Sequence, residues 1–128
     1  MESTPQSIDW LAVLAGTILA FLLGWLWYSP VLFGKKWAEG VGVSLGSAND
    51  MPKQAMIFQL AGTFFLALVI GLTTAAGTPA TTFLVILTIG CLIAANGFFA
   101  QKSHYAIVVE TTFIAAMGLI MVLCQTIL

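Results

Sequence analysis

The sequence predicts an all-α membrane protein that crosses the bilayer four times. Of its 128 residues, 60% are hydrophobic and only 7% are charged. Soluble domains carry about 25% charged residues because their surface must face water. A membrane-spanning helix needs about 20 consecutive apolar residues, and four such stretches follow one another along this chain. We therefore expect residues 1–128 to form a single four-helix transmembrane domain surrounded by lipid.

The first predicted span covers residues 10–28. It lies in a run without charged residues that extends from Trp10 to Gly34. Pro30 ends the helix, because proline lacks the amide hydrogen that would continue the hydrogen-bonding pattern.

The connection after the first span, residues 29–53, is the longest one. Its first part mixes apolar and basic side chains, which predicts a short helix in the membrane interface with Phe33 and Trp37 dipping among the headgroups. Residues 40–50 are rich in glycine and serine and are typical of a flexible connector.

The second and third spans share an uncharged stretch from Gln54 to Gln101, which is too long for one crossing. Gly77 and Pro79 mark a turn within it, since glycine commonly ends a helix and proline follows shortly after. This predicts spans at residues 54–74 and 80–100. The fourth span, residues 105–127, contains one charged residue.

All four lysines fall in the two connections on one side of the predicted bundle: Lys35, Lys36, Lys53 and Lys102. Positively charged residues near helix ends stay on the cytoplasmic side. We therefore expect a multi-pass protein of the cell (inner) membrane with both termini on the outer side.

Composition also bears on cofactors and partners. The net charge of −1 gives no basic footprint for nucleic acid. Cys91 and Cys124 lie in apolar runs without a CxxC spacing, so we expect small buried hydrophobes rather than a disulfide or metal site. His104 stands alone near an interface. No metal and no cofactor is predicted, and membrane lipid is a predicted partner.

Small residues recur at every fourth position of the first span, at Ala12, Gly16, Ala20 and Gly24. Such a stripe lets another helix approach closely, which is how helices associate in lipid. Two interpretations stay open: the stripe packs against another span of the same chain, or it forms a contact in a homo-oligomer.

One polar side chain per helix is predicted at a similar depth: Tyr28, Gln59, Asn96 and Glu110. Glu110 lies roughly 7–8 Å inside the fourth span at about 1.5 Å per residue. A carboxylate there is expected to face protein or water rather than lipid. The four would form an intramembrane ring if each faced inward, either fixing helix register or handling a proton or cation.

The exit from the first span also carries a sequence motif. It comprises Trp27, Tyr28, Ser29, Pro30, Phe33, Gly34, Lys35 and Trp37. This pattern resembles a family of small, mostly bacterial four-helix membrane proteins known as domain of unknown function 1761, and Asn96 also looks shared. The resemblance implies the four-helix fold and no activity.

The function that the sequence favours is a non-catalytic membrane component, either a homo-oligomer or an accessory subunit of a larger membrane assembly. The alternative is a small proton- or cation-coupled transporter or channel that uses Glu110 and the polar ring. An enzyme is disfavoured, since no nucleophile–base set, metal-ligand cluster or phosphate-binding glycine loop is evident.

Overall fold

A computed structural model describes residues 7–43 and 52–128, which form five helices and, within those ranges, no strand. The helices are α1 (Trp10–Trp27), α2 (Gly34–Val41), α3 (Lys53–Ala75), α4 (Pro79–Phe99) and α5 (His104–Ile127). All except α2 are long and apolar enough to cross a membrane. The all-α prediction, the four spans and the short helix after the first span are confirmed, and each predicted end lies within one residue of the observed end.

The predicted connector at residues 40–50 is only partly within the described chain. Gly40 and Val41 belong to the last turn of α2, which ends at Gly42 with a φ of +86°. Glycine adopts this left-handed conformation without steric cost. Residues 44–51 lie outside the described residues.

Local sequence signals explain where the spanning helices begin and turn. Asp9 caps α1 by accepting a hydrogen bond from the Ala12 amide at 3.1 Å, and Ser103 caps α5 in the same way through the Ala106 amide at 3.1 Å. Such caps satisfy amide groups that lack a partner inside the helix. Pro79 occupies the first turn of α4, where its missing amide hydrogen is harmless.

Helix α5 lies at the centre of the bundle and contacts α1, α2, α3 and α4. It is the most buried of the four spans, and α4 is the least buried. The core combines side chains from α1, α3 and α5, with Val13, Ile70 and Met121 among the most completely enclosed.

The small-residue stripe of α1 faces this central helix. Ala12 and Ala20 are fully buried, and a Cβ on Gly16 would lie 3.3 Å from Cγ of Met121. A Cβ on Gly24 would lie 3.1 Å from Cζ of Phe113. Of the two interpretations left open by the sequence, the structure therefore uses the stripe for packing within the chain.

The bundle has two distinct ends. Lys35, Lys36, Lys53 and Lys102 all belong to the connections and helix termini at one of them, which we call the lysine end. The opposite end carries residues 7–9, residue 128 and the α3–α4 turn, and we call it the terminal end. At the terminal end, a hydrogen bond between the hydroxyls of Thr73 and Thr82 joins α3 to α4.

The two cysteines differ in their surroundings. Cys124 is buried, as expected, but Cys91 is exposed on α4. The prediction of a buried Cys91 is wrong because α4 packs mainly on α5 and leaves its other side uncovered.

Candidate functional site

Glu110 is the centre of a polar cluster at the lysine end. Lys102 Nζ donates to both carboxylate oxygens at 3.0 Å, and the indole Nε1 of Trp37 donates to Oε2 at 2.9 Å. The side chains of Glu110 and Lys102 are only 14% and 23% exposed. A carboxylate inside an apolar helix is costly unless it is paired and hydrogen-bonded, and here it is both.

The short turn between α4 and α5 places Lys102 over its partner. Gln101 adopts a φ of +59°, and the Lys102 amide donates to the Gly97 carbonyl at 3.0 Å. These contacts fold the chain back sharply, so that Lys102 lies beside the first turns of α5. The Ser103 amide donates to the Gly40 carbonyl at 3.0 Å and ties the same turn to α2.

Trp37 reaches Glu110 because aromatic side chains fix α2 against α5. The Tyr28 ring meets Trp37 edge-on at 4.9 Å and Phe113 at 5.3 Å between centroids. Aromatic rings prefer such edge-to-face contacts over flat stacking. Tyr28, which packs on Phe113, therefore holds the Trp37 indole in place with its nitrogen directed at the Glu110 carboxylate.

A second tryptophan anchors the end of α1 on the same helix. Trp27 Nε1 donates to the Val109 carbonyl at 3.0 Å, and its ring lies 4.9 Å from that of Phe33. Phe33 and Trp37 are half-buried and both rings contact protein, and their contact with headgroups stays a prediction. The indole of Trp has one donor, which seeks an acceptor when it is enclosed.

The remaining motif residues build the reversal between α1 and α2. The Ser29 hydroxyl donates to the Leu26 carbonyl at 2.7 Å, and the Gly34 amide donates to the Ser29 carbonyl at 2.9 Å. Gly34 is buried so tightly beneath the carbonyl oxygens of Tyr28 and Ser29 that a Cβ would overlap them. Pro30 and Lys35 are exposed. The motif thus docks α2 on the bundle.

The structure brings together only two of the four predicted ring residues. Tyr28 and Glu110 both contact Trp37, one through its ring and the other through its indole nitrogen. Gln59 and Asn96 are exposed on α3 and α4, and Gln59 has only a 3.4 Å contact with Thr63 of its own helix. A ring of four is not formed within the described chain, because depth along a helix does not fix which way a side chain faces.

Lys36 and His104 make aromatic contacts at this end. Lys36 Nζ sits 5.2 Å from the centre of the Tyr105 ring, a cation–π contact that links α2 to α5. His104 is exposed, with its ring 5.7 Å from that of Phe98. Within residues 7–43 and 52–128, no group of three or more His, Cys, Asp or Glu side chains could hold a metal ion.

Sequence reasoning missed Trp37 as a partner of Glu110. The available signal was the indole donor on a short helix that also carries Lys35 and Lys36, together with an acidic residue near the start of the last span. What hid it was the long sequence separation between α2 and α5.

Comparison with known proteins gives a family and nothing about chemistry. Residues 11–126 match the family described as "Protein of unknown function (DUF1761)". No curated protein matches the chain, and no solved structure does either. The match covers the four apolar helices, except the first residue of α1 and the last of α5, and the whole Trp27–Trp37 segment. The chain therefore belongs to the DUF1761 family.

Proposed function

We propose that this protein is a non-catalytic membrane component that works by packing against other transmembrane helices, as a homo-oligomer or as an accessory subunit. One observation carries the proposal: the carboxamides of Gln59 and Asn96 lie on the outside of two helices that are apolar enough to span a membrane. Lipid tails offer such groups no hydrogen-bond partner, whereas a neighbouring helix does.

The extent of uncovered surface on α4 supports the same function. Only 11% of the most apolar 18-residue stretch of α4 is buried within the chain, against 44% for the corresponding stretch of α5. A spanning helix with one well-covered side and a polar residue outside it is typical of a subunit that meets other proteins in the membrane.

The Glu110 cluster supports a structural role for that carboxylate. Lys102 and Trp37 both donate hydrogen bonds to this carboxylate. Lys102 thereby connects the α4–α5 turn to α5, and Trp37 connects α2 to α5. A proton- or cation-coupled transporter would need this carboxylate to exchange partners with its cargo. No contact in the described chain specifically favours that alternative.

Native mass spectrometry tests the proposal. The protein is extracted from membranes at its natural expression level in mild detergent, and the intact species is weighed. We expect a mass above the 13.6 kDa of one chain, from further copies or companion proteins. A bare single chain under all mild extraction conditions contradicts the proposal.

A matched pair of variants sharpens the test. Gln59→Leu together with Asn96→Leu removes both exposed carboxamides and should shift the species towards single chains. Thr88→Val is the control, because the exposed Thr88 hydroxyl already donates to the Leu84 carbonyl of its own helix at 2.7 Å. The control should keep the native mass.

A further inference from the structure

Helices α3 and α4 carry matching residues along one antiparallel seam. The hydroxyls of Thr73 and Thr82 are hydrogen-bonded across it at the terminal end. Residues seven apart lie on nearly the same side of a helix. Stepping seven residues back along α3 and seven forward along α4 places Leu66 opposite Ile89, and a further step places Gln59 opposite Asn96.

Burial along this seam is lost only at the lysine end. Thr73 and Thr82 are buried. At the next level Leu66 is buried and Ile89 is half-buried, and at the last level both Gln59 and Asn96 are exposed. The two helices therefore touch near their turn and stand apart towards the lysine end.

We call the exposed surface between the two helices at this end the α3–α4 crevice; it carries Gln59, Gly62, Leu92 and Asn96. Leu92 is 65% exposed, and a Cβ on Gly62 would meet no atom within 4 Å. Both lie between the Leu66–Ile89 level and the Gln59–Asn96 level. The crevice is thus open to the side, apolar in its middle and carries two carboxamides at the lysine end.

We propose that a second copy of this chain docks at the α3–α4 crevice and places its own Asn96 against Gln59 and its own Gln59 against Asn96. This inference rests on the proposed function and names the partner and the surface. The reciprocal pairing is the pattern that a two-fold symmetric contact requires, in which residue i meets j and j meets i.

Hydrogen-bond complementarity selects a second copy over a lipid. A carboxamide carries an NH₂ donor and an oxygen acceptor, so it is complementary to another carboxamide. The ester groups of a lipid only accept hydrogen bonds, and they would leave the oxygens of Gln59 and Asn96 without a donor. A second chain in the same orientation brings four carboxamides to one level, where each can find both a donor and an acceptor.

The apolar part of the crevice suits the same occupant. Gly62 has no side chain to hold a neighbouring helix away, and close backbone approach strengthens helix association in lipid. None of the four lining residues is charged, so two copies meet there without like-charge repulsion. The ring of polar groups expected inside one chain would then form between two chains.

Disulfide cross-linking in native membranes tests this arrangement without touching the carboxamides. In a background of Cys91→Ser and Cys124→Ser, one tagged chain carries Gly62→Cys and a differently tagged chain carries Leu92→Cys. Co-expression and mild oxidation should yield a dimer that contains both tags, because a disulfide needs Cβ atoms within about 4.5 Å. Adding Gln59→Leu and Asn96→Leu to both chains should reduce that dimer severalfold.

The natural Cys91 provides the control. It is exposed on α4, but five residues before Asn96 it lies about 140° around the helix from it. A chain that keeps Cys91 and carries Cys124→Ser should form little dimer. Strong cross-linking through Cys91, with none between Gly62→Cys and Leu92→Cys, would place the contact on another face and overturn the inference.

Two further outcomes separate this inference from the proposed function. If Gly62→Cys and Leu92→Cys in one chain form only an intrachain disulfide at the single-chain mass, the crevice closes on itself and takes no second copy. If the native assembly holds one copy with a different protein, the second-copy inference is wrong although the proposed function stands. A bare single chain would remove both.

Discussion

The hydrogen bond from Trp37 to Glu110 can be tested by Trp37→Phe. The substitution keeps an aromatic ring beside Tyr28 and removes the indole donor, which lies 2.9 Å from the carboxylate. Hydrogen bonds to a charged group contribute about 1.5–3 kcal/mol. Since Lys102 still binds both oxygens, we expect the lower part of that range, about 1.5–2 kcal/mol of lost stability.

The measurement is reversible unfolding in mixed micelles of a mild detergent and dodecyl sulfate, followed by far-UV circular dichroism. A loss of about 1.4 kcal/mol lowers the folding equilibrium constant roughly tenfold. Trp25→Phe is the matched control, because Trp25 also lies near the lysine end, in the last turn of α1, and is 52% exposed. Exposed substitutions of this kind change stability by about 0.5 kcal/mol or less.

A double-mutant cycle separates the hydrogen bond from the smaller size of the phenyl ring. The cycle combines Trp37→Phe with Glu110→Met, which has a similar shape and no acceptor. We expect a coupling energy above about 1 kcal/mol, since residues in direct contact couple by about 0.5–3 kcal/mol. Additive effects within about 0.5 kcal/mol would refute the reasoning, and so would equal losses for Trp37→Phe and Trp25→Phe.

Three further variants use the same unfolding measurement. Gly34→Ala should cost about 1–3 kcal/mol of stability or more, because its Cβ would overlap two backbone carbonyl oxygens. The control Gly90→Ala has open space beside it and should gain up to about 1 kcal/mol. Similar stabilities for the two variants would contradict this prediction. Gly16→Val should cost about 1–3 kcal/mol by separating α1 from α5, and an unchanged stability would show that the stripe does not pack there. Thr73→Val should cost about 0.6 kcal/mol of stability and at most about 1.7 kcal/mol, since it breaks the hydroxyl pair with Thr82. The control Thr88→Val, at an exposed position, should cost less. The reverse order would exclude the Thr73–Thr82 pair as the link between α3 and α4.

The helices of this protein could be predicted because lipid leaves a strong trace in sequence. A spanning segment must be apolar for about 20 residues, so charged residues, Pro30 and the Gly77–Pro79 turn allowed the ends of the four spans to be predicted to within one residue. The short α2 was predictable from Pro30, which stops α1, and from the amphipathic residues that follow. These are local signals, and each one acts within a single helix or turn.

The rotation of each helix could not be predicted in the same way. In a soluble bundle the apolar side of a helix faces the core, but in lipid both sides are apolar and the pattern carries little information. Gln59 and Asn96 could therefore be placed by depth and not by direction. Glu110 and Tyr28 did meet, but through Trp37 of α2, which belongs to a different part of the chain.

Helices α3 and α4 are held differently at their two ends. At the terminal end the hydroxyls of Thr73 and Thr82 satisfy one another inside the chain, and the helices are in contact. At the lysine end α4 leans on α5, where a Cβ on Gly97 would lie 2.7 Å from Ile107, and α5 in turn is held by Trp27 and Trp37. Because α4 packs mainly on α5, bringing Gln59 and Asn96 of one chain together would require that packing to give way. We therefore expect the Glu110 cluster to keep the crevice open. Weakening this cluster by Trp37→Phe should lower interchain cross-linking between Gly62→Cys and Leu92→Cys. It should also raise the intrachain disulfide of the chain that carries both cysteines.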